Sequence, residues 1–177
     1  MGIEKKLKIC FMGGRQAGLV GALTVLSKGY EILSAVSYSE ELTDVLESFG
    51  IPVYKSVKDE NFIKFLNESD LLLSVHGREI VKQNLLDLPK LGAVNVHPYL
   101  YKYKGANPVG RAFADKEFKA SVGAHFMTQK VDEGEVLFEE FLDVAGSSSV
   151  EEIYNKMYPY YSLIILKMLD KICHENR

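Results

Sequence analysis

The chain has 177 residues, 47% of them hydrophobic, and a formal net charge of -3. That length supports one well-filled core and crowds out a second full domain, so residues 1–177 are read as a single domain. The acidic balance excludes the clustered Lys/Arg footprint of a nucleic-acid binder. With no apolar run near about 20 residues and no secretory leader pattern, a soluble cytoplasmic protein away from membranes is expected.

Residues 7–12 form a nearly continuous apolar run that stops at Gly13-Gly14, the pattern of a strand buried on both faces. Cys10 lies in it and reads as a buried reduced thiol; neither it nor Cys173 has the spacing of a metal ligand. Helical spacing over 19–26 closes at Lys28-Gly29. A strand over 31–38, a helix over 40–49, a short strand over 51–54 and a helix over 59–66 follow. Then come a strand over 70–75, a short helix over 82–88 stopped by Pro89, and a strand over 92–96 with Pro98 closing it. Strands and helices thus alternate about every dozen residues, which marks βαβ units and a mostly parallel sheet. Past residue 105 the pattern changes to a helix over 108–114 and two consecutive strands over 120–127 and 135–142, an antiparallel appendage. Ser147, Ser149, Glu151 and Glu152 open a long final helix to about Cys173, with a kink expected at Pro159. The fold class is α/β.

In open parallel sheets, ligands bind outside the carboxyl ends of the strands. Three such ends carry polar residues: 13–16, 74–79 and 95–98. In the last, Asn95 and His97 are two apart and project from the same face of an extended chain. An amide NH2 can donate to a developing oxyanion, and an imidazole can move a proton from an attacking amine. That pair suits non-covalent acyl transfer. The plainer reading makes Asn95 a turn cap and His97 a satisfied structural histidine, and spacing alone favours it. Asp132, between the two late strands, fits an ordinary hairpin turn with Gly134. As a partner it would orient and charge-stabilise an imidazole.

Taken together, Asn95-Val-His97-Pro, Lys104-Gly105-Ala-Asn-Pro108, Ser121-Val-Gly-Ala-His125-Phe-Met and Val131-Asp132-Glu-Gly134 resemble the folate-dependent formyltransferases. That family includes glycinamide ribonucleotide, methionyl-tRNA and sugar N-formyltransferases. The resemblance covers the chain in outline and is strongest over about residues 70–140. It implies a Rossmann-like sheet and formyl transfer from 10-formyltetrahydrofolate to an amine, with no metal. It implies that Asn95, His97 and Asp132 are catalytic: Asn95 on the formyl oxygen, His97 handling that oxygen or the amine proton, and Asp132 paired with His97. The folate would lie between the loop carrying His76, Gly77, Arg78, Glu79 and Ile80 and the segment Thr128, Gln129, Lys130 and Val131. The plainer reading of Arg78-Glu79 is an exposed charged pair. His125 is taken as a supporting structural residue, and His76 has no assigned chemistry.

Two departures bear on the acceptor. The family usually has Leu-Pro after the histidine motif; here Tyr99, Tyr101 and Tyr103 alternate with Lys102 and Lys104 before Gly105. Those rings and charges suit a phosphorylated or nucleotide-bearing acceptor, or else are a surface loop that buries its rings. The loop Gly13, Gly14, Arg15 would favour phosphate at a helix start, but it lacks the Ser and Asn of the purine enzymes. An amino-sugar nucleotide is therefore the expected small-molecule acceptor, with glycinamide ribonucleotide as alternative. The lack of a tRNA-binding extension and the acidic charge argue against tRNA. A non-catalytic folate- or nucleotide-binding domain has no need of the trio, and the glycines do not follow Gly-x-Gly-x-x-Gly of dinucleotide oxidoreductases. The final helix, with Tyr154, Tyr158, Tyr160 and Tyr161, is read as the face of a homodimer.

Overall fold

The computed structural model describes residues 6–175. β1 (Lys8–Gly13) is the apolar run, and its side chains alternate between the two sides of the sheet. Ile9 and Phe11 join one hydrophobic cluster, Cys10 and Met12 the other. The same alternation holds in β4 (Leu71–Val75), where Leu71, Leu73 and Val75 face one way and Leu72 the other. Burial on both faces is why these strands read as unbroken hydrophobic runs.

With β2 (Glu31–Ser37), β3 (Val53–Tyr54), β5 (Ala93–Pro98), β6 (Lys119–Phe126) and β7 (Val136–Asp143), these strands make one seven-stranded sheet in the order β3-β2-β1-β4-β5-β6-β7. β1 to β5 are mutually parallel. β6 runs antiparallel to β5, and β7 antiparallel to β6. The expected antiparallel appendage is thus a continuation of the same sheet. Strand order reverses direction between β1 and β4, which places a topological switch point at their carboxyl ends.

α1 (Arg15–Ser27), α2 (Glu40–Ser48), α5 (Pro108–Ala114) and α6 (Val150–Glu175) contribute to one cluster, and α3 (Glu60–Glu68) and α4 (Gln83–Leu86) to the other. α3 starts where Asp59 accepts from the Asn61 and Phe62 N–H groups. α1 begins earlier than its periodicity suggests, because Gly18 and Gly21 do not break it. At Gly21 an added Cβ would meet Val75 and Ile165 at 3.0 and 3.3 Å, so the bare backbone lets α1 lie close to β4 and α6. Pro159 sits inside α6 on an exposed position, and the helix continues through it. β5 runs on through Pro98, whose Cα partner is Val122, so Asn95 and His97 both lie within a paired strand.

The β6–β7 connection carries Asp132 and turns tightly over the end of β6. At Gly134 an ideal Cβ would stand 1.8 Å from the Phe126 carbonyl oxygen, so only glycine fits without moving the backbone. Gly134→Ala should cost roughly 1–3 kcal/mol of stability through this overlap. Urea unfolding measures it, and a loss below about 0.5 kcal/mol would show that the connection adapts freely.

Candidate active site

Asn95 and His97 stand on the side of β5 opposite Val94 and Val96, which pack into the α1/α6 cluster. The period of two that put them on one face holds in the structure. Asp132 arrives from the β6–β7 connection in the left-handed region, with φ 54°. Its Oδ2 lies 3.0 Å from His97 Nε2 and accepts the Gly105 N–H at 2.7 Å. Its Oδ1 lies 3.3 Å from His125 Nε2 and 3.4 Å from Asn95 Nδ2. His97 Nε2 is also 3.2 Å from the Gly105 carbonyl. Gly105 therefore touches both members of the pair, at a φ of +79° that favours glycine.

Protonation follows from these contacts. His97 Nε2 faces two acceptors, a carboxylate and a carbonyl, so it carries the hydrogen. Nδ1 is enclosed and has no partner among the described residues. Any proton the ring gains therefore goes to Nδ1. His125 donates through Nδ1 to the Phe126 carbonyl at 2.8 Å. Its Nε2 accepts from Asn95 Nδ2 at 3.4 Å when the ring is neutral and donates to Asp132 when it is charged. Burial pushes the Asp132 carboxyl upward, but hydrogen bonds from His125, His97 and Gly105, with the His97 charge, hold it well below the usual carboxylate range. Asp132 is anionic at neutral pH. Both contacts of Asn95 Nδ2 are at the long limit of a hydrogen bond, so a stronger acceptor can displace them.

Two recesses bear on this cluster, one lined by its members and one at the switch point. One, of about 80 Å³, is lined by Glu79, Ile80, Val81, Asn95, His125, Met127, Thr128, Lys130, Val131 and Asp132. It unites most of the residues expected on the folate side. Ile80 and Val131 are 73% and 51% exposed, which leaves two apolar walls facing solvent. Glu79 is not the exposed charge of the plainer reading. It accepts from Ser56 Oγ, the Val57 N–H and Tyr38 OH, at 2.6, 3.0 and 2.9 Å. Partial burial raises its carboxyl, and these hydrogen bonds outweigh that and hold it below its ordinary range. Arg78 and Gln129 are exposed and do not line this recess, and Gly77 packs on Met12 and Ser74.

The second recess, of about 370 Å³, lies at the switch point and is lined by Arg15, Gln16, Ala17, His76, Val150, Glu151, Tyr154, Asn155 and Tyr158. His76, expected with the folate residues, belongs here. Its φ of 57° turns the ring away from β4 toward α6, where Nε2 is 2.8 Å from Tyr161 OH. Three of the four α6 tyrosines are likewise turned inward, against their reading as a dimer face: Tyr161 is fully buried, and Tyr154 and Tyr158 wall the recess, while Tyr160 is half-buried. Positions 154, 158 and 161 share one helical stripe, a spacing that was present in the sequence. Gly13 and Gly14 support the recess from below rather than lining it. An added Cβ on Gly13 would meet the Val75 carbonyl at 2.9 Å, and the Gly14 N–H donates to that carbonyl.

The loop after β5 matches the plainer of its two readings, a surface loop that buries rings. Tyr99 and Tyr103 are buried, and their hydroxyls donate to the Glu117 carbonyl and to Asp115. Tyr101 donates to the Lys119 carbonyl, and Lys102 pairs with Glu117 at 2.6 Å. These four side chains bind the loop to the α5–β6 connection and the start of β6. Lys104 is exposed, and its carbonyl accepts from Arg111.

A family model described as formyl transferase matches residues 54–167. The chain belongs to the formyl transferase family. Among family relatives, it is 30% identical over 182 residues to a methionyl-tRNA formyltransferase of Staphylococcus epidermidis, covering 93% of this chain and 58% of that protein. It is 25% identical over 175 residues to the bifunctional polymyxin resistance protein ArnA of Wigglesworthia glossinidia brevipalpis, covering 90% of this chain and 27% of that one. The chain thus spans only part of these relatives. Among solved structures, the phosphoribosylglycinamide formyltransferase of Anaplasma phagocytophilum superposes with a TM-score of 0.82 at 20% identity, covering 97% of this chain and 89% of that one. WlaRD, a sugar 3N-formyl transferase crystallised with dTDP and 5-N-formyl-THF, superposes with a TM-score of 0.75 at 16% identity, covering 97% and 64%. These likenesses establish the formyl transferase fold. Among the described residues no helix is long and apolar enough to cross a membrane.

Because the Asp132 carboxyl titrates below its unfolded value of about 3.9, its share of stability is complete above that value and declines as the pH falls beneath it. Asp132→Asn should lower the Tm at pH 7, and the gap to the unsubstituted protein should narrow below about pH 4. A gap constant from pH 7 to pH 3 in thermal melts would contradict the ionic role.

Proposed function

We propose that this chain transfers a formyl group from 10-formyltetrahydrofolate to a primary amine of a small acceptor. The observation that carries this reading is the convergence of Asn95, His97 and Asp132 at 3.0–3.4 Å. A domain that only bound ligands would gain nothing from burying a carboxylate against an imidazole beside an amide.

The smaller recess fits the donor. A flat heterocycle needs apolar walls and an opening onto the reacting groups, and Ile80, Val81, Met127 and Val131 supply the walls while Asn95 and Asp132 close the inner end. The donor, when bound, brings an activated formyl carbon. Asn95 Nδ2 exchanges its long contacts for the oxygen on which negative charge develops. As the amine attacks the formyl carbon, His97 Nδ1, once the residues enclosing it move aside, takes the proton the amine releases; the bond from that carbon to the folate nitrogen then breaks, and the proton passes to that nitrogen as the folate leaves. Asp132 stabilises the resulting imidazolium through Nε2, and the Gly105 N–H keeps the carboxylate in place.

For the acceptor we favour an amino-sugar nucleotide. The larger recess offers aromatic walls from Tyr154 and Tyr158, the Arg15 guanidinium, and Glu151 and Asn155 for hydroxyl groups. Its size lies in the range of small-molecule sites. Glycinamide ribonucleotide is the alternative, and the recurrence of methionyl-tRNA formyltransferases among the relatives adds charged initiator tRNA to any substrate panel.

Saturating 5-formyltetrahydrofolate should raise the Tm, since a ligand at about 100 times its Kd stabilises the native state by about 2.7 kcal/mol. No shift at saturation would remove the folate assignment. With the best acceptor of the panel, His97→Ala should lower kcat by about 10²–10⁴-fold and Asn95→Ala by about 10²–10³-fold. Turnover retained in both would reject the assigned chemistry.

A further inference from the structure

His76 takes no part in the chemistry assigned to the Asn95–His97–Asp132 cluster, yet its backbone is held in the left-handed region at φ 57°. For a residue that is not glycine such a conformation costs energy and persists only where the surroundings impose it. The constraint comes from α6. The imidazole packs on Tyr154 and Tyr161, with ring centroids 5.5 and 5.7 Å away, and its Nε2 is 2.8 Å from the Tyr161 hydroxyl.

Tyr161 is fully buried, and no other partner for its hydroxyl occurs among the described residues. Were Nε2 to donate to it, the phenolic hydrogen would be enclosed without an acceptor, which costs about 1–3 kcal/mol. The hydroxyl therefore donates to Nε2, and Nδ1 carries the ring hydrogen. Unlike Nδ1 of His97, Nδ1 of His76 is not enclosed. It has no protein partner among the described residues, and the ring lines the larger recess. The groups around the ring keep it neutral. Burial, then Arg15 of α1 and His97 of β5, lower its pKa to about 4, while burial holds the Tyr154 and Tyr161 hydroxyls protonated. Tyr158, shifted upward by burial, and Glu151 line the same recess.

We propose that His76 is a specificity-determining residue, a neutral hydrogen-bond donor whose Nδ1–H is presented by Tyr161 to a lone-pair oxygen of the acceptor. This deepens the functional reading and rests on it in placing the acceptor in the larger recess. Tyr161 is the positioning residue, since it reaches the recess only through His76. Arg15 on the same wall makes a carbonyl, carboxylate or phosphate oxygen the matching group, in preference to a second donor.

The test uses the full chain with 15N-labelled histidine. Long-range 1H–15N spectra at pH 7 should show His76, assigned by the signal lost in His76→Asn, as the Nδ1–H tautomer. Tyr161→Phe should move it toward the Nε2–H form. An Nε2–H tautomer in the unsubstituted protein overturns the proposal. Binding is then measured with dTDP, UDP and glycinamide ribonucleotide as probes and 5-formyltetrahydrofolate as control. His76→Phe, which keeps a ring but no nitrogen, should weaken the best probe at least tenfold. His76→Asn, which tolerates the left-handed backbone and places an amide N–H near the position of Nδ1, should stay within about threefold. The control should be unchanged in both. Equal losses of probe and control, or equal probe binding by His76→Phe, assign His76 a packing role only and overturn the proposal. If no probe perturbs the His76 resonances while 5-formyltetrahydrofolate still binds, the specificity role fails and the formyl-transfer reading stands.

Discussion

The Asp132 carboxylate is an ion taken largely out of water, and an isolated charge in that position is prohibitively costly. Its two oxygens are met by the Gly105 N–H, His97 Nε2 and Asn95 Nδ2, and by His125 Nε2 when that ring is charged. These groups come from β5, from the loop that follows it and from β6. One buried charge therefore ties three separate segments together, and losing any of these donors leaves the carboxylate undersatisfied. The same arrangement that makes the charge tolerable also sets the hydrogen on His97 Nε2 and leaves Nδ1 to receive a proton.

Backbone strain is concentrated where this cluster and the two recesses are built. Arg15, His76 and Tyr99 adopt left-handed φ values of 55, 57 and 54° just past the ends of β1, β4 and β5, and Asp132 does so in the connection after β6. Each costs on the order of 1–3 kcal/mol. The turn at His76 carries its ring off the strand line onto α6. The turn at Tyr99 folds the tyrosine-rich loop back onto the chain, where the Lys102 and Tyr103 N–H groups donate to the Tyr99 carbonyl. The crevice at the β1/β4 switch point thus comes from backbone directions as well as from strand order.

The two recesses differ in place and in chemistry: the smaller is lined by Asn95, His125 and Asp132, and the larger lies at the switch point beside His76. The smaller is narrow and edged by exposed Ile80 and Val131. The larger combines aromatic rings with Arg15, Glu151 and Asn155. On the proposed reading this division separates donor from acceptor, and the contact between His76 and α6 makes the final helix a wall of the acceptor side. Glu79 gives the smaller recess a fixed edge by joining β4 to the segment carrying Ser56 and Val57.

The sequence by itself determined what depends on near neighbours. Strand and helix periods, their alternation, the antiparallel turn of the late strands and the shared face of Asn95 and His97 were all legible, because each follows from spacing along one element. The trio was legible through its resemblance to a family, and each member alone had a plainer explanation. Only the tertiary structure decided what depends on which loops meet across the sheet. Gly105 supports Asp132 from 27 residues away, and His76 meets Tyr161 across 85. No local period encodes such separations, so neither the place of His76 in the switch-point recess nor the support Gly105 gives Asp132 is legible in the sequence. The hydroxyl partners of the tyrosines in the β5 loop and in α6 are set in the same way. Where a tyrosine ring lies is decided only when the fold brings a carbonyl, a carboxylate or an imidazole to its hydroxyl, as at Tyr99, Tyr103 and Tyr161.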